Sequence, residues 1–218
     1  MAKRMERFTV SLKRGETVTN ATYEAGFGSS SRLYARVYED LGMTPSAFRS
    51  GGRGVTFRYT TVPTVVGLML VAITERGIAA VSFGETEAAL VASLRSDHPK
   101  AVLRRDRKGL EKPVSRLLKS LSGSAAVDDL PLDVKATAFQ RKVWQALQQI
   151  PRGQNRSYRE IARVIGQPTA ARAVARACAV NPVAVAIPCH RVVRGNGHLA
   201  GYRWGLERKQ RLLALERT

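Results

Sequence analysis

The chain has 218 residues, of which 44% are hydrophobic, and a net charge of +19 from 36 lysines and arginines against 17 acidic residues. It is long enough for one large or two small hydrophobic cores, and no apolar run approaches the roughly 20 residues that a membrane helix needs. Its two cysteines, Cys178 and Cys189, exclude a disulfide scaffold, and neither lies in a pattern of metal ligands.

The first 50 residues are predicted to be helical, and no secretory signal opens them. Periodic apolar positions favour a helix over 17–25, which Gly26-Phe27-Gly28 interrupts. Ser29-Ser30-Ser31 can cap a second helix that runs to about Leu41. Two short helices around a glycine turn are typical of a helix-turn-helix, and 51–54 then indicates a linker.

Residues 53–134 have a different pattern, that of a small α+β domain. Turn residues separate segments that are rich in β-forming side chains, and two stretches have helical spacing. The predicted strands are 55–62, 67–74, 78–83 and 101–103, and the predicted helices are 85–95 and 110–121. Because the segment contains no nucleophile, phosphate loop or metal cluster, we expect it to have a structural role.

Residues 135–218 are predicted to be mostly helical and to contain a second helix-turn-helix. Ser157 and Glu160 have the spacing of a capping box. Three helices are predicted: 139–150 with an apolar stripe, 158–165, and a helix that Thr169 caps and that ends near Val180.

The positive charge is concentrated in this last part of the chain. Residues 137–218 contain 15 lysines and arginines against 3 acidic residues, compared with 12 against 9 in 55–136 and 9 against 5 in 1–54. Such a basic segment favours a polyanionic partner, with DNA as the leading candidate, although a generally basic composition would have the same effect.

The helix predicted over 169–180 contains small residues almost everywhere except at its arginines. Arg172 and Arg176 are four residues apart and therefore share one face. Small neighbours would let the backbone approach a narrow groove closely. The alternative is an alanine-rich packing helix with two solvated arginines, and Cys178 is interpreted as one of its buried small residues.

A possible nucleophile follows this helix. An apolar, strand-like run from Asn181 ends at Pro188, and Cys189 and His190 come next. A cysteine reacts as a thiolate, and an imidazole within reach can accept its proton directly or through a water. Adjacent residues point apart in a strand, so a turn is needed to bring the two groups together. Most Cys-His pairs are incidental or core residues.

The block Ile187-Pro188-Cys189-His190-Arg191-Val192 resembles the active-site motif of the alkylguanine-DNA alkyltransferases, which is highly specific. The resemblance covers roughly residues 55–218. The other matching segments follow the family's order: Thr137-Ala138-Phe139-Gln140, Val143-Trp144, Ser157-Tyr158, Ile161-Ala162, Ala171-Arg172-Ala173-Val174, Asn181-Pro182, Gly201-Tyr202-Arg203 and Leu212-Leu213.

This resemblance implies a reaction and its catalytic residues. An alkyl group would pass from the O6 atom of guanine in double-stranded DNA to Cys189 in a single turnover without a cofactor. Whether O4-alkylthymine is also a substrate is left open by the sequence. The implied catalytic residues are Cys189 as acceptor, His190 as base acting through a water, Glu216 orienting His190, Tyr158 donating to the departing guanine, and Asn181 bracing the turn before the nucleophile.

The resemblance also implies a set of residues that bind DNA. Arg172 would fill the gap left by a flipped base, and Pro188 and Tyr202 would form an apolar wall for that base. Arg203 stands where many relatives have a serine that touches the base. The full implied DNA-binding set is Thr169, Ala171, Arg172, Arg176, Pro188, Tyr202 and Arg203.

Residues 12–52 resemble the second half of an AraC-type DNA-binding domain, so the whole chain is similar to the C-terminal part of Ada-type adaptive-response proteins. Two features depart from that family. No cysteine precedes Cys178, whereas the family begins with a four-cysteine zinc site, and only one of two helix-turn-helix units is present. We therefore expect either a fragment or a shortened relative.

Together these features predict an α+β protein in three parts. Residues 1–52 would form a partial helix-turn-helix segment, 53–134 a small ribonuclease-H-like domain, and 135–218 a helical, winged-helix-like catalytic domain. We expect a cytoplasmic, nucleoid-associated monomer without a metal or membrane contact. Two alternatives are a transcriptional regulator, which the missing cysteine cluster disfavours, and a lesion-binding alkyltransferase-like protein, which the presence of Cys189 disfavours.

Overall fold

The computed structural model describes residues 2–27, 55–124 and 130–217. Two helices form the first of these ranges, α1 (Ala2–Lys13) and α2 (Val18–Glu24). Helix α2 confirms the helix predicted over 17–25. The two helices share a small core made of Met5, Phe8, Leu12, Ala21 and Ala25. The predicted second helix from Ser29 to Leu41, most of the half-domain over 12–52 and the linker at 51–54 lie outside the described residues.

A four-stranded sheet follows, and it confirms the predicted strands. Its strands are β1 (Thr56–Thr64), β2 (Gly67–Thr74), β3 (Gly77–Gly84) and β4 (Val102–Arg105), in the order β3-β2-β1-β4. The first three are antiparallel neighbours, and β4 lies parallel to β1. Strand β3 is therefore an edge strand, and its outer side is open for other pairing.

Both faces of this sheet are buried, by different partners. Helix α3 (Glu87–Asp97) packs on one face through Leu90 and Leu94. It begins two residues later than predicted because the Thr86 hydroxyl accepts a hydrogen bond from Ala89 N at 3.2 Å and caps it. The other face packs against helix α4 (Glu111–Leu121) and against residues of the C-terminal part, so that one large core runs through both.

The C-terminal part contains four helices and a short two-stranded parallel sheet. Their bounds are α5 (Ala138–Gln148), α6 (Tyr158–Val164), α7 (Ala171–Ala179), α8 (Leu206–Leu215), β5 (Arg156–Ser157) and β6 (Val192–Val193). The capping box predicted at Ser157 is confirmed, since Glu160 N donates to Ser157 Oγ at 3.2 Å and Ser157 N donates to Glu160 Oε2 at 2.6 Å. None of the helices in the described ranges is long and apolar enough to cross a membrane.

Two local predictions are wrong. Thr169 does not cap α7: the N-cap is Ala170, whose side chain makes no capping hydrogen bond. Ala170 N donates to Gln167 O at 2.9 Å, so a tight turn ends there and moves the helix start past Thr169. The run 181–187 is also not a strand. It is a series of turns in which Val185 has a φ of 68°.

This turn segment is held by the edge strand of the sheet. Val81 N donates to Pro182 O at 3.0 Å, and Ala184 N donates to Val81 O at 2.9 Å. Because buried backbone groups need such partners, the sheet positions the segment that leads to Cys189. The part of the chain for which the sequence predicts a structural role therefore supports the segment that precedes the candidate nucleophile.

Candidate active site

Cys189 lies at the start of a short 3-10 turn and is only 3% exposed. Asn181, which is fully buried, holds it there: Asn181 Nδ2 donates to Cys189 Sγ at 3.2 Å and to Ile187 O at 2.8 Å. The same side chain accepts a hydrogen bond from Val183 N at 3.0 Å. One amide thus braces both ends of the turn segment and touches the sulfur.

His190 and Glu216 are 26 residues apart in the chain and in contact in the structure. His190 Nε2 lies 2.8 Å from Glu216 Oε1, and both side chains are buried. His190 directly follows Cys189 in a 3-10 turn, so the two residues do not have the strand geometry that would point their side chains apart. The turn therefore carries a thiol and an imidazole on adjacent residues, and the imidazole contacts a carboxylate; these are the groups that a cysteine nucleophile needs.

Arg191 was not singled out from the sequence, yet it fixes the carboxylate. Its Nε donates to both oxygens of Glu216, at 3.1 and 2.9 Å, and its Nη2 donates to Oε1 at 2.8 Å. Its Nη1 donates to Ile150 O at 2.6 Å. A buried carboxylate requires a charged partner. The position of Arg191 directly after His190 in the sequence is the feature from which this role could have been predicted.

These contacts determine the charge of each group. Burial would raise the pKa of Glu216, but hydrogen bonds from His190 and Arg191 outweigh it and hold the pKa at about 2. Burial lowers the pKa of His190, against the opposing effect of Glu216. At neutral pH the pair is therefore a neutral imidazole beside a carboxylate, and the imidazole can accept a proton.

The thiol itself is not ionised in the resting protein. Burial raises the pKa of Cys189 to about 11, although the hydrogen bond from Asn181 and the positive charge of Lys209 oppose that rise. At pH 7 roughly one thiol in ten thousand would be a thiolate. Reaction at Cys189 consequently depends on a base, and His190 is the neighbouring candidate.

Lys209 is a second residue that the sequence did not reveal. It is a fully buried lysine whose Nζ donates to Val192 O at 2.6 Å and to Ala200 O at 3.3 Å. Burial lowers its pKa, while the nearby Cys189 and Cys178 thiols oppose that shift. Lys209 ties the segment after the nucleophile to the segment before Tyr202 and places a positive charge close to both cysteines.

A cleft of about 890 Å³ opens beside helix α7. Of the residues predicted to bind DNA or the departing base, the cleft is lined by Tyr158, Ala171, Arg172, Tyr202 and Arg203. Arg176 and Thr169 are exposed outside its lining, and Pro188 is buried. Cys189, His190, Asn181 and Glu216 are not among the lining residues of this cleft, whereas Tyr158 of the predicted catalytic set is.

Two cleft residues have defined surroundings. Burial, with the neighbouring Cys178 and Cys189 thiols, raises the pKa of Tyr158 to about 12, so its hydroxyl keeps its proton and can donate. Arg203 Nη2 forms a salt bridge with Asp97 Oδ2 at 2.8 Å, and its Nη1 donates to Asn181 O at 3.5 Å. Arg203 is therefore attached to α3 at the rim of the cleft.

Cys178 is buried on the inner face of α7, as the sequence predicts. Burial raises the pKa of its thiol above its ordinary value. No group of three or more possible metal ligands gathers around either cysteine within the described ranges.

Comparison with known proteins places this site in a family. The sequence model described as "6-O-methylguanine DNA methyltransferase, DNA binding domain" matches residues 138–218. The Escherichia coli "Bifunctional transcriptional activator/DNA repair enzyme Ada" is 45% identical over 215 residues, which are 99% of this chain and 61% of that protein. The chain thus spans less than two thirds of the length of that relative.

Two shorter relatives are covered almost completely. A "Probable methylated-DNA--protein-cysteine methyltransferase" of Acanthamoeba polyphaga mimivirus is 39% identical over 66% of this chain and 93% of its own length. The crystal structure of Mycobacterium tuberculosis OGT in complex with DNA superposes with a TM-score of 0.62 at 35% identity, covering 75% of this chain and 93% of that one. The resemblance predicted from the sequence is confirmed, and the chain belongs to the family of methylated-DNA–protein-cysteine methyltransferases.

Proposed function

We propose that this chain repairs alkylated DNA by transferring the alkyl group of O6-alkylguanine irreversibly to Cys189. The observation that carries the proposal is the buried Cys189, which is held by Asn181 and followed in the chain by a histidine that contacts Glu216. The same part of the chain has a cleft lined by Arg172 of helix α7. The family relationship supplies the substrate class.

The first step is activation of the thiol. The proton of Cys189 Sγ passes through a water to His190 Nδ1, because His190 Nε2 is already engaged by Glu216. The imidazolium that forms is stabilised by the carboxylate, which Arg191 holds in place and keeps ionised. Glu216 orients and stabilises the imidazole without taking the proton itself.

The second step is alkyl transfer. A lone pair of the Cys189 thiolate attacks the alkyl carbon, the S–C bond forms, and the C–O6 bond breaks with its electron pair moving onto the guanine. The Tyr158 hydroxyl, which keeps its proton, donates a hydrogen bond to the departing guanine and relieves its negative charge. The guanine anion takes up a proton from solvent water and the His190 imidazolium returns one to it, and the thioether is stable, so each molecule reacts once.

The substrate must leave the base stack, because a guanine inside a duplex cannot reach Cys189. Helix α7 places Arg172 on the cleft lining, where its guanidinium can occupy the position that the flipped base vacates. The 15 basic residues of 137–218 attract the phosphate backbone. This arrangement favours double-stranded DNA as the partner, with Ala171, Tyr202 and Arg203 at the same surface.

We also propose a division of labour along the chain. Residues 135–218 would form the catalytic and DNA-binding domain with a winged-helix-like arrangement, and 53–134 would form a ribonuclease-H-like support. Residues 1–52 would form a partial AraC-type segment. The supporting role of 53–134 is based on two hydrogen bonds between the sheet and the turn segment, from Val81 N to Pro182 O and from Ala184 N to Val81 O.

The test of the proposal is the intact mass after incubation with DNA that contains O6-methylguanine. We expect a gain of one methyl group per protein molecule, mapped to the peptide that contains Cys189, and no gain for Cys189→Ala, which should still bind the lesion. Cys178→Ala is the matched control and should react like the native chain. A methyl group on Cys178, or turnover beyond one equivalent, would contradict the proposal.

Residues 1–52 are expected to be dispensable for repair. The core shared by α1 and α2 contains no residue from 55–217, and the segment contributes no group to the cleft among the described residues. Deleting 1–52 should leave the single-turnover rate on a short methylated duplex within about threefold of the rate of the native chain. A single helix-turn-helix unit, from a domain that normally has two, makes few contacts with bases. A large loss of rate in a folded truncation would instead assign DNA holding to this segment.

A further inference from the structure

A second hollow, of about 450 Å³, adjoins the cleft beside helix α7. Four arginines line it, and we call it the arginine groove: Arg156, Arg159, Arg163 and Arg194. Arg159, Arg194 and Gly195 also line the cleft, so these three residues form an edge that both hollows share. The cleft and the arginine groove are therefore one continuous surface.

The short parallel sheet explains why arginines from distant segments meet in this groove. Strands β5 and β6 run side by side in the same direction, so they end at the same edge. Helix α6 follows β5 directly, and Arg194 follows β6 directly. Arg159 and Arg163 are four residues apart in α6 and therefore share one face of the helix. The sheet thus brings this helix face and Arg194 together.

The positive charges of the arginine groove outnumber its negative ones. Glu160 is the single carboxylate on the lining, against four arginines. Its Oε2 already accepts a hydrogen bond from Ser157 N at 2.6 Å, as part of the capping box. Within the described ranges, none of the four arginines forms a salt bridge with an acidic residue. Like charges four apart destabilise a helix, so an anion in the groove would offset a real repulsion.

An open stretch of backbone borders this surface. The turn after β6 is closed by hydrogen bonds from Gly197 N to Arg194 O and from Arg194 N to His198 O, both at 2.9 Å. A Cβ placed on Gly195 or Gly197 would meet no heavy atom within 4 Å. Glycines of this kind let a ligand come close to the protein backbone. With exposed guanidinium groups, which bind phosphate oxygens in pairs, the border suits an extended anionic chain.

We propose that the arginine groove binds the sugar–phosphate backbone of the DNA strand that carries the damaged guanine, next to the nucleotide that enters the cleft. The reason is continuity. A flipped base stays covalently attached to its own strand, so that strand must pass over an edge of the cleft, and the shared edge leads into the groove. The inference rests on the proposed function, which it deepens by assigning a phosphate subsite to one of the two strands.

The experiment neutralises one phosphate at a time. Each duplex contains O6-methylguanine and a single methylphosphonate linkage, which carries no charge, at one position near the lesion in one of the two strands. Affinities are measured in the full-length Cys189→Ala chain, in which the acceptor is absent. We expect one or two adjacent linkages in the damaged strand to weaken binding about fivefold each, and linkages at the same distance in the complementary strand to have much smaller effects.

A double-mutant cycle assigns the sensitive linkage to the groove. Arg163 is exposed and lines the groove but not the cleft, so Arg163→Gln should weaken binding about fivefold, reduce the dependence of log K on log salt by about 0.9, and remove the sensitivity to that linkage. Arg163→Lys keeps the charge and should keep most of the sensitivity. Arg176→Gln is the matched control: it removes the same charge outside both hollows and should leave the sensitive linkage unchanged.

Equal small losses at every linkage would overturn the inference, because they would mean that the arginines only attract DNA diffusely. So would a sensitive linkage in the complementary strand, or one whose effect adds fully with that of Arg163→Gln. Failure of the proposed function is distinguishable: the native chain would then gain no methyl group, while the affinities of the methylphosphonate duplexes would still report on the arginine groove.

Discussion

Replacing His190 by glutamine should slow methyl transfer by about 10²- to 10⁴-fold, the usual contribution of a positioned base. The thiol pKa of about 11 leaves almost no thiolate at neutral pH, so the reaction depends on the imidazole. Glu216→Gln should have a similar though smaller effect, because the amide cannot stabilise the imidazolium. The measurement is the single-turnover rate at saturating protein, with DNA affinity measured separately.

The pH dependence gives an independent check of the same assignment. Burial lowers the pKa of His190 below 6.5, so the imidazole is neutral and can accept a proton at any pH above this lowered pKa. The decrease in rate on the acid side of the pH profile should therefore occur below pH 6.5. The carboxylate of Glu216, with a pKa of about 2, stays ionised across this range. Glu216→Gln removes a charge that raises the pKa of His190, so this decrease should move to still lower pH.

Arg191 provides a graded control for this prediction. Arg191→Lys retains a positive charge beside Glu216 but cannot reproduce the three hydrogen bonds of the guanidinium. We expect an intermediate rate for it, between those of the native chain and Glu216→Gln. A native single-turnover rate in His190→Gln would refute the assignment of the base, whatever the behaviour of Arg191→Lys.

Arg172→Ala should slow repair of paired duplex DNA strongly, and much less when the methylated guanine is mispaired or lies in single-stranded DNA. The physical reason is that unstacking the base costs a few kcal/mol in a paired duplex and less in the other two substrates. If Arg172 fills the vacated position, it offsets part of this unstacking free energy, and its removal leaves the free energy without compensation. Arg172→Lys should restore little, because lysine keeps the charge but lacks the planar group that stacks and donates several hydrogen bonds.

Arg176→Ala is the matched control for this prediction. It lies one turn further along α7, carries the same charge and is exposed outside the cleft lining. As a phosphate contact it should weaken binding equally on all three substrates and reduce the dependence of log K on log salt by about 0.9. Equal losses for Arg172→Ala on paired, mispaired and single-stranded substrates would reduce Arg172 to another phosphate contact.

The features that were predictable from the sequence are those in which the interacting residues are close along the chain. The Ser157–Glu160 capping box spans three residues, and its two hydrogen bonds form wherever that pattern begins a helix. The apolar patterns of the strands likewise reflect which side of each strand is buried. The Pro188-Cys189-His190 block is equally local, and the family could be recognised from it, while the reactivity of Cys189 stays a prediction.

The Thr169 prediction shows the limit of this local reasoning. A threonine before a helical segment is a good cap in general, yet the turn closed by Ala170 N and Gln167 O moves the helix start beyond it. The apolar run before Pro188 fails for a related reason. Its hydrophobic residues are buried whether it forms a strand or a turn. The turn is marked by hydrogen bonds within the segment, from Ala186 N to Ala184 O at 2.7 Å and from Ile187 N to Val183 O at 3.1 Å, and by the φ of 68° at Val185.

The sequence by itself determined the candidate nucleophile, the helical elements around it and the concentration of basic residues, because each depends on neighbouring residues. Only the tertiary structure decided how the site is charged and held. The contact of Glu216 with His190 and Arg191 and the hydrogen bonds of buried Lys209 to Val192 and Ala200 join different segments of the chain. The free energy of a buried charge depends on which partners surround it, and packing brings those partners together.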